Sequence, residues 1–448
     1  MVYDNIDASI TLGCHTLSCA CAPLPEIHLG DLGRFVSMTQ SGNNLFASAY
    51  DATYGDLVIM TYNAQTLEQT ALRYADGFPN SGKITGNPTG RRGGRLDKGR
   101  NVGTHTAIAM RNGRPIVVYV DEESQSLKIA FLEIDGKITT GVIHQATKSA
   151  GENIGRFSSI VVDEAGVIHV AYFADNITID AQRVSTPMYA RAKISLPKTP
   201  EDWDHLAIEP MRHCDDKGCL QETADPACKH KDPSSFQLAS LNFTENSRGN
   251  GLYTAIAIHN DKPMVVYQDS AHGYVRGATA NFTRTDPTPT DFTTTKIDCG
   301  VGSIDVGNYT ALRIAPNNDV VVAYGDGLGN TIHTYRGEDF ARGTTTRIDD
   351  GLRASHDIRV GGPISILFDS HGTASFIYGD LSNNDVIITT PSENGFVHHT
   401  IIANGAFGSA QSAVVISDDQ ALILAHRRSF KQATPGDLVL RTLDLRAF

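Results

Sequence analysis

One phrase recurs seven times along this chain: a glycine, a short apolar run, a tight turn, then a second run ending in an aromatic residue and often an aspartate. The glycines are Gly33, Gly103, Gly155, Gly251, Gly307, Gly361 and Gly408. The clearest copies read GLYTAIAIHNDKPMVVYQD (251–269) and GTHTAIAMRNGRPIVVYVD (103–121). A repeated β unit covers its apolar faces with neighbouring copies, so the chain must build a stacked or circular β array. The glycine spacings are 70, 52, 96, 56, 54 and 47 residues, and those in the fifties fit four strands with their turns.

One copy reads as follows. The run Tyr253 to Ile258 is a first strand and Met264 to Tyr267 a second. A third follows Asp269, and the Thr-rich stretch Phe292 to Ile297 is a fourth. The first two are nearly continuous apolar runs, as strands covered on both sides are. The last copy supplies three strands before the chain ends at Phe448. Pro25 to Gly30 reads like a fourth strand, similar to Thr295 to Asp298 and Thr346 to Asp349. The expectation is an all-β, seven-bladed propeller of four-stranded blades over 25–448. The N-terminal strand would complete the seventh blade and remove an open sheet edge. Residues 1–24 form a Cys-containing extension.

These copies resemble the secreted seven-bladed β-propellers. Their rhythm is similar to that of seven-bladed polysaccharide lyases of the ulvan-degrading kind. The resemblance covers about residues 25–448 and implies a carbohydrate-active lyase or hydrolase. The Asp-box of sialidases and the Gly-His and Trp-Asp punctuation of WD40 blades are absent, and Trp203 is the one tryptophan.

A net charge of −12 argues against nonspecific nucleic-acid binding. No run of eighteen apolar residues predicts a membrane span. The seven cysteines (Cys14, Cys19, Cys21, Cys214, Cys219, Cys228 and Cys299) cluster outside the repeat cores. That placement suits an oxidising compartment, so the expectation is a secreted, periplasmic or cell-surface protein whose signal peptide has been removed, acting as a monomer.

Two long insertions, about 78–102 and 210–250, each join a fourth strand to the next first strand and so belong on one face. Insertions of this length are usually functional or mobile. The first carries Arg91, Arg92, Arg95, Lys98 and Arg100 among glycines. Guanidinium forks suit carboxylate, sulfate or phosphate, while a solvated loop is the alternative. The two positions after each repeat glycine form an inner rim on that face, offering Arg34, Arg156, His105, Tyr253 and Tyr309. Such a set could bind an anionic substrate, with His105, Tyr253 or Tyr309 as general acid or base and Arg34, Arg156, Arg91, Arg92, Arg95 and Arg427 as substrate cations. The alternative is that the rim aromatics pack between blades. Asp51, Asp121, Asp175, Asp269, Asp326 and Asp380 recur and so read as caps of the following turn.

His213, Cys214, Cys219, Cys228 and His230 could hold zinc, but the spacing lacks a C-x2-C knuckle. Disulfides, with Cys299 reaching the same face, are the preferred reading. Calcium at the aspartates is a further alternative, without a D-x-D-x-D-G loop. His169 reads as a core histidine bonded to a neighbouring strand. Two functions stay side by side: an enzyme acting on an anionic polysaccharide, and a non-catalytic surface recognition or scaffold protein.

Overall fold

The computed structural model describes residues 31–79, 84, 92, 95, 97–209, 211–212, 250–270, 272–300, 304–353, 356–403, 407–408, 410–417, 419–427 and 437–447. They form seven antiparallel sheets in chain order, spanning 32–76, 102–144, 153–212, 250–298, 306–349, 360–402 and 411–444. Blade 4 is representative, with strands Asn250–His259, Lys262–Asp269, Tyr274–Ala280 and Phe292–Asp298. Blade 3 adds a short strand, Met211–Arg212, beside its third. Blade 7 shows three strands among the described residues, and the fourth expected from 25–30 lies outside them.

Each first strand touches the first strands of both neighbouring blades, and those of blades 7 and 1 also meet. The ring is therefore closed at its inner edge. At the last joint His426 Nε2 lies 3.0 Å from Asp31 Oδ1. Second strands are buried along nearly their whole length, as Val320–Asp326 shows. Apolar clusters fill the gaps between blades, such as Val266, Val275, Val306, Leu312, Val322 and Tyr335 between blades 4 and 5. Fourth strands are half-exposed.

The recurrent aspartates cap the turn after the second strand. Asp51 Oδ1 accepts the amides of Thr53 (3.0 Å) and Tyr54 (3.4 Å). Asp121, Asp326 and Asp380 repeat this with Glu123 and Ser124, Leu328 and Asn330, and Ser382 and Asn383. Asp175 sits one residue later in register, because Ala174 rather than Asp175 pairs with Ile154. It accepts from Ser185 Oγ at 2.5 Å inside a longer hairpin, Ile168–Ile179 with Gln182–Ala192. His169 is fully buried, 2.7 Å from the Tyr189 hydroxyl on the neighbouring strand.

A second fastening joins blade to blade. The tyrosine near the end of a second strand reaches the end of the preceding blade's fourth strand. Tyr119 donates to Asp76 (2.7 Å), Tyr267 to Glu209 (2.7 Å), Tyr324 to Asp298 (2.6 Å) and Tyr378 to Asp349 (2.6 Å). Tyr172 meets His144 Nδ1 at 2.8 Å in the same place. Each of these phenols is fully buried, and Ala49 and Ala425 hold the position in blades 1 and 7. Tyr378→Phe removes one donor from a carboxylate whose side chain is 0 % exposed. We expect a loss of about 1–3 kcal/mol in urea denaturation, since Arg353 and the Gly351 amide still hold Asp349.

Candidate functional site at the channel rim

Every first strand in blades 1 to 5 opens with the same local distortion. The repeat glycine has a positive φ, and the aromatic residue two places on does too: Phe35 (54°), His105 (51°), Phe157 (55°), Tyr253 (54°) and Tyr309 (54°). Pairing with the second strand shifts register on either side, as between Asn250/Leu252 and Leu252/Ala255. Left-handed backbone at a bulky residue costs about 1–3 kcal/mol and persists only where the surroundings impose it. Here the side chain and the next hydroxyl impose it. Ser158 Oγ donates to the His105 carbonyl (2.6 Å), Thr254 Oγ1 to that of Phe157 (2.5 Å), and Thr310 Oγ1 to that of Tyr253.

The five rings form a continuous arc. Centroids are 4.5 Å apart for Phe35–His105, 4.8 Å for His105–Phe157, 4.6 Å for Phe157–Tyr253 and 4.7 Å for Tyr253–Tyr309. Because they come from five consecutive blades, they follow the inner rim. Pro363 and Ala410 stand at the same position in blades 6 and 7, so the arc stops there. The end rings, Phe35 and Tyr309, are each 38 % exposed and present the edges of a gap.

The structure thus brings His105, Tyr253 and Tyr309 into one cluster. Burial, with Arg156 adding to it, lowers His105 to about 3, so its imidazole is neutral at ordinary pH. Burial also raises the phenols of Tyr253 and Tyr309, the former helped by its neighbour Tyr309, and keeps both protonated. Arg156 is half-buried and makes no side-chain hydrogen bond or ion pair among the described residues. Arg34 is exposed but tethered to Asp31 at 2.7 Å, which His426 also holds.

The arginine loop is divided. Arg92 turns inward, 5 % exposed, with Nη2 3.0 Å from Asp56 Oδ2 and its guanidinium 3.8 Å from the Tyr54 ring centroid. Burial pushes the Asp56 carboxyl up to about 7 against the pull of Arg92. Arg95 lies 5.6 Å from the Phe78 centroid. Arg100 Nη2 is 2.5 Å from the capping Asp121. These side chains serve the joint of blades 1 and 2 and do not join the ring cluster. Arg427 ends the second strand of blade 7, opposite Asp437, where blades 1, 2 and 4 to 6 carry a capping aspartate. Arg91, His213, Cys214, Cys219, Cys228 and His230 lie outside the described residues. Among the described residues no group of three or more His, Cys, Asp or Glu could hold a metal ion.

A buried charge network between blades 3 and 4 carried no sequence signal. Glu209 accepts from Tyr267 (2.7 Å), Asn250 (2.7 Å) and Arg276 (3.2 Å), and Arg276 Nε also donates to Asp269 at 2.8 Å. Its members lie far apart in the chain and meet only when the blades do. The tyrosine fastenings did leave a signal: a tyrosine near the end of most second strands, and the Ile-Asp ending of two fourth strands.

The fold and its rim define a seven-bladed β-propeller. No protein-family model matches the chain, and no curated protein matches it. Solved propellers do. Puromycin hydrolase, as an S511A mutant complexed with PGG, is 11 % identical with a TM-score of 0.50, over 95 % of this chain and 55 % of that one. Polysaccharide lyase Uly1 is 10 % identical with a TM-score of 0.48, over 98 % and 95 %. The GH93 α-L-arabinofuranosidase of Fusarium graminearum, complexed with arabinobiose, is 9 % identical with a TM-score of 0.44, over 77 % and 93 %. The chain spans about half of the hydrolase's length, and at these identities the likeness is one of fold. No helix of the described residues is long and apolar enough to cross a membrane.

Proposed function

We propose that the rim binds an anionic polysaccharide, packing sugar rings against the exposed parts of Phe35 and Tyr309 and pairing a carboxylate with Arg156. One observation carries this reading: a guanidinium without a side-chain hydrogen bond or ion pair among the described residues stands beside a ring arc that ends in two partly exposed aromatic rings. Arg34 is a second cation on the same strand starts, and Arg427 a third at the same end of blade 7. The catalytic form of the proposal is β-elimination on a uronate. Arg156 would neutralise the carboxylate, neutral His105 would accept the proton next to it, and Tyr253 or Tyr309 would protonate the departing oxygen. A base with a pKa of about 3 is far from the operating pH. That distance favours the second reading, recognition without turnover. Cys299 is disulfide-bonded, which supports a compartment outside the cytoplasm.

The test is a panel of uronate polymers read for binding and for the ultraviolet absorbance of an unsaturated product. Arg156→Ala should weaken binding about tenfold, the size of one lost charge-assisted contact. Arg34→Ala should cost less, because Asp31 already engages that side chain. Binding should be flat from about pH 5 to 8, since His105 is already neutral and arginine does not titrate there. Full affinity in Arg156→Ala would remove the rim as the site. Absorbance growth abolished by His105→Ala would establish the enzyme.

A further inference from the structure

At four joints between blades a buried tyrosine donates to a carboxylate, but the joint of blades 2 and 3 is closed by two imidazoles on one hydroxyl. His144 Nδ1 lies 2.8 Å from the Tyr172 hydroxyl and His205 Nδ1 lies 3.2 Å from it, with the two imidazole centroids 5.0 Å apart. We infer that this joint is an acid-sensitive fastening, which loosens in mild acid while the carboxylate joints hold.

The sheet register singles out His144. It pairs with Leu127 near the end of its fourth strand. The same position pairs Asp76 with Leu57, Asp298 with Val275 and Asp349 with Ile332. Those three aspartates accept from Tyr119, Tyr324 and Tyr378. One exchange within the repeat therefore replaces a carboxylate, with an ordinary pKa of about 4, by an imidazole, with an ordinary pKa of about 6.5.

The protons of the cluster follow from its acceptors. His205 Nε2 lies 3.3 Å from the Pro200 carbonyl, which can only accept, so that nitrogen carries a proton and Nδ1 is bare. Tyr172 donates to the bare nitrogen and accepts from His144 Nδ1. The phenol is fully buried and has one proton to give. A first added proton reverses this chain. A second leaves two N–H groups facing one oxygen, with no nitrogen to accept the phenol proton, so the doubly charged pair cannot keep these contacts.

The charged groups around the pair do not compensate it. Asp204, on the strand of His205, is held by Arg191 at 3.0 Å, and Lys193 adds positive charge. Asp202, in the short helix against the fourth strand of blade 2, accepts the amides of Lys198 and Thr199, and Glu201 beside it is exposed. Lys128, on the third strand of blade 2, is held by Asp76. His169, on the strand of Tyr172, is engaged by Tyr189 and Asp163. Loss of solvation holds both imidazoles below their ordinary range, His144 to about 3, and the charge of His205 adds to the effect on His144. The Pro200 carbonyl and Asp204 pull His205 the other way without offsetting the burial. A histidine held low releases its proton as the joint closes. The joint is thus fully fastened above about pH 6.5 and weakens as pH falls from there, its open population growing about tenfold per pH unit for each histidine.

Hydrogen exchange of the full chain, read by mass spectrometry and corrected for the intrinsic pH dependence of exchange, tests this. Between about pH 6.5 and 4.5, opening of the strands around Tyr172 should grow by up to about a hundredfold per pH unit, the limit for two histidines. The joint of Tyr324 and Asp298 should stay nearly flat. His144→Asp restores the acceptor used at the other joints and should flatten the profile. His144→Gln serves if that variant does not fold, and should leave the share of His205, about tenfold per unit. The open form stays a minor species down to about pH 5, so rim affinity remains flat there and the two proposals fail separately. A wild-type profile at Tyr172 no steeper than at Tyr324 overturns the inference. So does a wild-type slope retained in the folded His144 variant, which would leave His144 a packing role alone.

Discussion

Gly251→Ala should destabilise the propeller by about 3–5 kcal/mol, because the added methyl group meets both a forbidden backbone region and a neighbouring backbone. Gly251 has a φ of +116°, a region that L side chains rarely adopt. A Cβ there would lie 2.5 Å from the Pro187 nitrogen and 2.8 Å from its Cα. Those atoms belong to the third strand of the preceding blade, and a proline backbone within a sheet cannot swing aside. The methyl must push blades 3 and 4 apart or flatten the bulge that seats Tyr253. Gly113→Ala is the internal control. Its φ is +74° and nothing lies within 4 Å of an added Cβ, so the change should cost about 1 kcal/mol of backbone strain alone. Urea midpoints for the two variants check this. Equal shifts would mean that the close approach of the blades contributes nothing.

Arg276→Met should cost about 3–5 kcal/mol at neutral pH, the range for stranding a buried charge. Arg276 is 6 % exposed and Asp269 0 % exposed in their ion pair, and Glu209 takes the other end of the guanidinium at 3.2 Å. Burial alone would raise Asp269, but the hydrogen bond from His272 and the charges of His272 and Arg276 outweigh it and hold the carboxyl below its ordinary range. A lowered carboxyl contributes stability that is present above its unfolded value and lost as pH falls through the folded one. The variant loses part of that contribution. Its deficit should therefore be full near pH 7 and shrink on acidification below about pH 4, as the carboxylates protonate in both proteins. Thermal unfolding across that range measures it. A deficit independent of pH would assign the effect to packing of the side chain's stem.

The ring of blades was legible because it is written in local, repeated terms. Six of the seven repeat glycines sit against the blade before them, the apolar pairs are strands covered on both sides, and most of the aspartates cap turns two to four residues away. Blade 3 slipped by one residue because an extended hairpin carries its aspartate past the usual pairing. Fastenings such as Tyr119 to Asp76 span two blades, so neither partner reveals the other. The rim residues were located by position, and the fold adds what position could not: ring packs on ring, which leaves His105 neutral and the phenols protonated. Arg92 shows the same limit. A loop rich in arginine and glycine reads as a solvated cation patch, and only the fold places Asp56 and the Tyr54 ring where one of those arginines comes to rest.

Seven similar blades around one axis would offer a ligand seven interchangeable seats. The stretch at Pro363 and Ala410, where no ring continues the arc, lifts that degeneracy. An elongated molecule laid across the mouth, as proposed above, would meet aromatic rings on one side and small residues on the other, and so would find its possible headings unequal.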